Sequence, residues 1–174
     1  MKIIFLSILF FLSNLVDYKN KDYSFEIKLP EGYEIKNSNR EEKFATVEYI
    51  TINGKQEITN GSVKTNAIYK LICERFTRKP VVTINKLNFH DLIVTYTKNI
   101  NAASFTANHY TILSQTEAGD TINYVLQNDS ARLLEHRKII FHDTLAYSIS
   151  ILTRKELFKQ EYANEFFNSL IIKK

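Results

Sequence analysis

The tripeptide Phe-His-Asp occurs twice, at Phe89-His90-Asp91 and at Phe141-His142-Asp143. A carboxylate beside an imidazole can orient the ring, and that pairing serves general acid–base chemistry. On a strand, however, adjacent side chains point to opposite faces, so neither His would meet its own neighbouring Asp. Each copy lies where one apolar run gives way to the next, and the pattern predicts hairpin turns there. The other two histidines are His109, within an alternating run, and His136, between Glu135 and Arg137. A zinc site needs three or four converging ligands, and no two histidines have the spacing that places both on one helix face. His109, His136 and His142 could meet only across strands. The expectation is therefore no catalytic residue, no metal ligand and no cofactor.

The remaining motif chemistry is sparse. A G-x-S-x-G elbow, a P-loop, a dinucleotide-binding glycine fingerprint and a calcium loop are all missing from the sequence, and with four glycines a phosphate cradle is hard to build. The lone cysteine, Cys73, excludes an internal disulfide and a multi-cysteine zinc site; its apolar neighbourhood predicts a buried, inert thiol. Ten tyrosines are more readily placed in the core and on sheet faces than at a recognition surface.

Composition agrees with an ordered single domain. The 174 residues are 44% hydrophobic and 13% aromatic, with only two prolines. The formal net charge is +4, which raises the question of nucleic acid. But 17 Lys stand against 6 Arg, dispersed along the chain, whereas phosphate recognition favours clustered Arg. A solvated lysine surface and no nucleic-acid partner are expected.

The elements that would position these residues begin after a leader. "MKIIFLSILFFLSNLV" (1–16) has a lysine and an apolar run shorter than the roughly 20 residues of a membrane span, so it reads as a secretory signal peptide. Small residues are missing at the usual cleavage spacing, and a leader left uncleaved would be the sole membrane anchor expected. No cysteine follows it for lipid attachment. Residues 22–172 form the predicted domain. "YSFEIKL" (23–29) alternates as a half-buried strand and is closed by the turn "PEG". "FATVEYITI" (44–52) runs into "NGK", which predicts a hairpin. Ile68, Leu71, Ile72 and Phe76 recur at helical spacing and predict a helix over 62–76, capped by Asn60 or Ser62. Residues 81–153 read as successive antiparallel strands: "VVTINKL", "LIVTYTK", "SFTANHYTIL", "TINYVLQ", "LLEHRKIIF" and "LAYSISIL". The tail predicts a final helix, with Phe158, Tyr162, Phe166 and Leu170 on one stripe, Ala163 and Phe167 beside it, and Thr153 and Glu156 as a capping box. The fold class expected is α+β: an antiparallel sheet of about six or seven strands flanked by a central helix and a C-terminal helix.

This order of elements resembles the PsbP-like family, whose fold is shared with a Ran-binding nuclear transport factor and with bacterial lipoproteins of the DcrB type. The residues carrying the resemblance are Phe25, Ile27, Pro30, Gly32 and Tyr33 in the strand and turn, and Phe166, Phe167, Ser169 and Leu170 near the end. Tyr33 stands where a Trp is common, and the lipid-attachment cysteine of many secreted members is missing. The resemblance implies a sheet flanked by helices and a non-catalytic binding or assembly role.

The expected function is thus a bacterial protein that is not an enzyme, exported to the periplasm, envelope or exterior, and that acts by contact on a protein partner. Two alternatives are a chaperone-like adaptor that masks apolar segments of a partner and a small hydrolase or metalloenzyme using the His and Asp residues. Convergence of the histidines in one cleft would favour the last of these.

Overall fold

The computed structural model describes residues 15–60, 63–80 and 88–173. All but the last two residues of the leader, and the strand expected at 81–87, lie outside the described residues. Ten strands, two α-helices and one 3-10 turn are described: β1 (Leu15–Asn20), β2 (Phe25–Pro30), β3 (Glu34–Glu41), β4 (Ala45–Asn60), β5 (Val63–Arg78), α1 (Phe89–Ala107), β6 (Thr111–Ala118), β7 (Thr121–Asn128), β8 (Leu133–His142), β9 (Leu145–Arg154), the 3-10 turn Lys155–Leu157, α2 (Gln160–Asn168) and β10 (Ile171–Ile172). They build a seven-stranded sheet in the order β3-β4-β5-β9-β8-β7-β6 and a three-stranded sheet in the order β1-β2-β10. Every pairing is antiparallel. Among the described residues, no helix is long and apolar enough to cross a membrane.

The large sheet is covered on both faces, and each face has its own core. On one side, Tyr69, Leu71 and Cys73 of β5 and Tyr147, Ile149 and Ile151 of β9 pack with Phe25, Ile27 and Leu29 of the small sheet and with Ala163 and Phe166 of α2. On the other, Val47, Phe76, Ile122, Leu126, Ile139 and Phe141 pack beneath Ile93 and Phe105 of α1. Alternate side chains of one strand therefore enter different cores.

Two-sided burial overturns the helix expected at 62–76. That segment is β5, aligned with β4 from Ala45 opposite Arg78 to Asn60 opposite Val63. Tyr69, Leu71 and Cys73 fill one core while Ile68, Ile72 and Phe76 lie on the other side, so apolar residues of both parities imitate a helical stripe. The central helix lies instead at 89–107, where "LIVTYTK" and the start of "SFTANHYTIL" were expected to be strands. β-branched composition favours strand there, yet Ile93, Thr97, Asn101 and Phe105 step by four and are all buried. Asn88 caps α1 by accepting from the Asp91 N–H at 2.8 Å, and Asp91 complements the helix dipole.

Other boundaries also move. The turn "PEG" is present, with Gly32 at φ 78°. The hairpin expected at 53–55 is not, because β4 runs through it and reverses only between Asn60 and Val63. Thr153 pairs with Leu134 inside β9 instead of capping a helix; α2 begins at Gln160 and has no side-chain cap. Leu15 and Val16, the last residues of the expected leader, pair with Pro30 and Leu29 in the small sheet.

Candidate functional site

The four histidines occupy three regions. The two Phe-His-Asp copies do meet, but as a structural junction. His90, in the first turn of α1, places Nδ1 3.3 Å from the Asp143 carbonyl oxygen and Nε2 3.1 Å from Asp120 Oδ1, and its ring lies edge-on to Phe141. Both polar partners are acceptors, and they sit in the turns β8–β9 and β6–β7, so His90 ties the helix start to two hairpins. The hairpin turn expected for Phe141-His142-Asp143 is present, with Asp143 at φ 52°; the copy at 89–91 is helical. His142 Nδ1 is 3.6 Å from Asp143 Oδ2. His136 stacks on Phe158 at 4.0 Å, and burial holds its pKa below the ordinary histidine value. Six residues of extended chain separate His136 from His142, roughly 20 Å. His109 follows the far end of the 19-residue α1, roughly 28 Å along the helix from His90. No group of three or more His, Cys, Asp or Glu able to hold a metal occurs among the described residues. Cys73 is fully buried, on a strand, and burial pushes its thiol pKa far up.

The polar groups that do converge are elsewhere. Asn53, Lys70, Ser150, Arg137 and Tyr124 are successive cross-strand partners on β4, β5, β9, β8 and β7. Such neighbours stand about 5 Å apart, and the row lies on the face that α1 covers. On one side of the row Ile139, Phe141 and Phe76 fill the core under α1. At the row itself the interior turns polar. Glu135, 4% exposed, accepts from Arg137 Nε at 2.8 Å and Nη2 at 2.6 Å. Arg137 Nη1 donates to Asn101 Oδ1 at 2.5 Å, and Asn101 Nδ2 donates to the Thr97 carbonyl at 2.9 Å. The guanidinium also lies 5.0 Å from the Phe105 ring centre. Arg137 is thus held from both layers, which fixes the end of α1 over the sheet.

Beside Arg137 a cleft of 290 Å³ opens between the end of α1, at Ser104 and Phe105, with Tyr110 after it, and the strands β4, β5, β8 and β9. Lys70 lines it. Burial, and secondarily the Arg137 charge, lower its pKa, with Glu135 opposing. Burial and then Glu135 raise the pKa of Tyr110 at the cleft wall. A second polar network flanks the helix start: Arg40 Nη2 pairs with Glu74 at 2.5 Å and Tyr96 donates to Glu42 at 2.5 Å.

Sequence reasoning missed the cleft because it treats polar residues at alternate positions as a wet face. In "LAYSISIL" the serines Ser148 and Ser150 alternate with apolar residues, as on a wet face, yet Ser150 is 6% exposed. Glu135 and Arg137 share one face of β8 by their spacing, but Lys70 and Ser150 join that face only through the register of β5, β9 and β8, which the sequence alone does not show.

No protein-family model and no curated protein matches the sequence. Among solved structures, the chain is similar to the solution structure of cyanobacterial PsbP (CyanoP) from Synechocystis sp. PCC 6803, at 10% identity over 92% of this chain and 93% of that one, with a TM-score of 0.49. A likeness of that degree assigns neither a family nor a function to this chain.

Proposed function

We propose that this protein is an exported, non-catalytic binding module that takes an extended segment of a partner protein onto the edge strand β6. The observation that carries this reading is the contrast between the two edges of the large sheet. β3 carries Glu34, Lys36, Arg40 and Glu41 among eight residues, a density of charge that discourages strand addition. β6 carries one charge, Glu117, already paired with Lys98 at 2.7 Å, and it is exposed along its whole length.

A bulge at Leu113, between the pairs Ile112–Leu126 and Ser114–Val125, leaves Ile112 and Leu113 45% and 51% exposed. From Ser114 to Ala118 the pairing with β7 is regular. An added strand would gain main-chain hydrogen bonds over that stretch, with the two apolar side chains as anchors. The junction role of His90 supports a non-catalytic reading, since both ring nitrogens face structural acceptors. The apolar leader supports export.

The test is site-specific photo-crosslinking from Gln115 in the source cells, with the N-terminus of the crosslinked species sequenced. A discrete partner lost in the Ile112→Lys, Leu113→Lys double variant, on an exported species, supports the proposal. An unchanged crosslink pattern in that variant, or a cytosolic species, overturns it.

A further inference from the structure

We propose that the cleft between α1 and the sheet binds a small organic monocarboxylate, anchored by the Lys70 ammonium. The charges around the cleft are unevenly matched. Glu135 spends one oxygen on two Arg137 nitrogens, and Arg137 spends its third on Asn101. Lys70, also lining the cleft, makes no hydrogen bond or ion pair among the described residues. The same is true of the Asn53 and Ser150 side chains on either side of it in the cross-strand row. Three adjacent donors, an amide, an ammonium and a hydroxyl, thus face one small space with no acceptor assigned to them. All three line the same cleft, where a bound anion could accept from them together.

The class of anion follows from charge and walls. Among the described residues lining the cleft, Lys70 is the one cation outside an ion pair, so one negative charge is matched; a dianion would bring a second charge towards the Glu135 carboxylate. Two carboxylate oxygens can take Lys70 and one flanking donor together. Ile68, Leu152 and Phe105 contribute apolar wall, which suits a short hydrocarbon body. At 290 Å³ the space is at the small end for organic ligands, enough for an acid of a few carbons and too small for a nucleotide. This inference is independent of the β6 edge, which lies on the opposite side of β7 and β8 from Lys70.

The experiment is a titration of the isotopically labelled full chain with butyrate, butyramide, inorganic phosphate and a short N-acetylated peptide with a free C-terminus, followed by amide shifts and by the Lys70 side-chain signal. Expected are saturable butyrate shifts centred on Asn53, Lys70 and Ser150 with a rise in the Lys70 pKa. Butyramide should bind at least about tenfold more weakly, the factor that a charge-assisted hydrogen bond supplies. Lys70→Met should lose the butyrate response while its spectrum stays folded, and Lys64→Gln, at an exposed ion pair, should keep it. If Lys70→Met does not fold, Asn53→Leu with Lys70 intact must weaken butyrate. Equal binding of butyrate and butyramide, tighter binding of phosphate or of the peptide, or butyrate shifts that persist in Lys70→Met would each overturn the proposal.

Discussion

Pro30 and Gly54 touch across the two sheets: a Cβ placed on Gly54 would lie 2.8 Å from Pro30 Cδ. The contact explains why an Asn-Gly-Lys sequence that normally makes a hairpin lies in mid-strand here. Gly54 leaves room for the end of β2 to cross over β4, and the ring of Pro30 fills the space a side chain would take. The close approach fixes where the chain leaves the small sheet and enters the large one.

Gly54→Ala should therefore destabilise the protein by about 1–3 kcal/mol, the usual cost of overpacking a filled site. Because the clash is with the proline ring, adding Pro30→Ala should recover part of the loss. Denaturant midpoints of the two single variants and the double variant give the coupling. Additive losses would show that the contact is not the cause.

Glu135→Ala should cost about 3 kcal/mol or more, since it strands the Arg137 guanidinium in a buried setting. The Glu135→Gln variant, which keeps an acceptor oxygen, should lose less. Urea unfolding measures both, and a loss under about 1 kcal/mol for the alanine variant would mean that water reaches Arg137 freely.

Lys70→Met should stabilise the protein at neutral pH. Burial lowers the folded-state pKa of Lys70 below its ordinary value of 10.5, so the charged form is disfavoured by folding. Between the lowered folded pKa and the unfolded one, the unfolded chain binds more protons, and stability rises with pH. The advantage of the methionine variant should thus be full below the folded pKa and shrink as pH rises towards 10.5. Unfolding curves of the two proteins compared at neutral and alkaline pH check the sign.

Tyr69→Phe should stabilise by about 1 kcal/mol. Tyr69 is fully buried edge-on to Phe166, at 4.9 Å between ring centres, and its hydroxyl has no hydrogen-bond partner among the described residues. Phenylalanine keeps the packing and removes an unsatisfied polar atom. A fall in melting temperature would show that the hydroxyl is satisfied in solution.

The strands β7 and β9 are legible in the sequence because each is short and alternates cleanly, and β8, which does not alternate, is legible as the short segment between their turn residues. The C-terminal helix is legible in its stripe, though not in its start: the chain continues as strand to Arg154 because β8 offers Leu133 and Leu134 as partners. β5 and α1 exchange identities for one reason. A strand buried on both faces carries apolar residues at both parities, and a helix rich in Ile, Val and Thr carries strand-like composition; neither local signal contains the partner that decides the matter. At the histidines, residue types could be read but separations could not.

The sequence by itself determined the α+β class, the antiparallel meander near the C-terminus and the Pro-Glu-Gly exit from β2, because turn chemistry and period-two alternation act over a few residues. Only the tertiary structure decided that β5 lies between β4 and β9, that α1 covers one face of the large sheet, and that Lys70, Ser150 and Arg137 share a row. Those outcomes depend on pairing between segments far apart in the chain, such as Ile68 with Leu152. A cross-strand row has no spacing of its own in the chain, since its members become neighbours only when the register of every intervening strand is set.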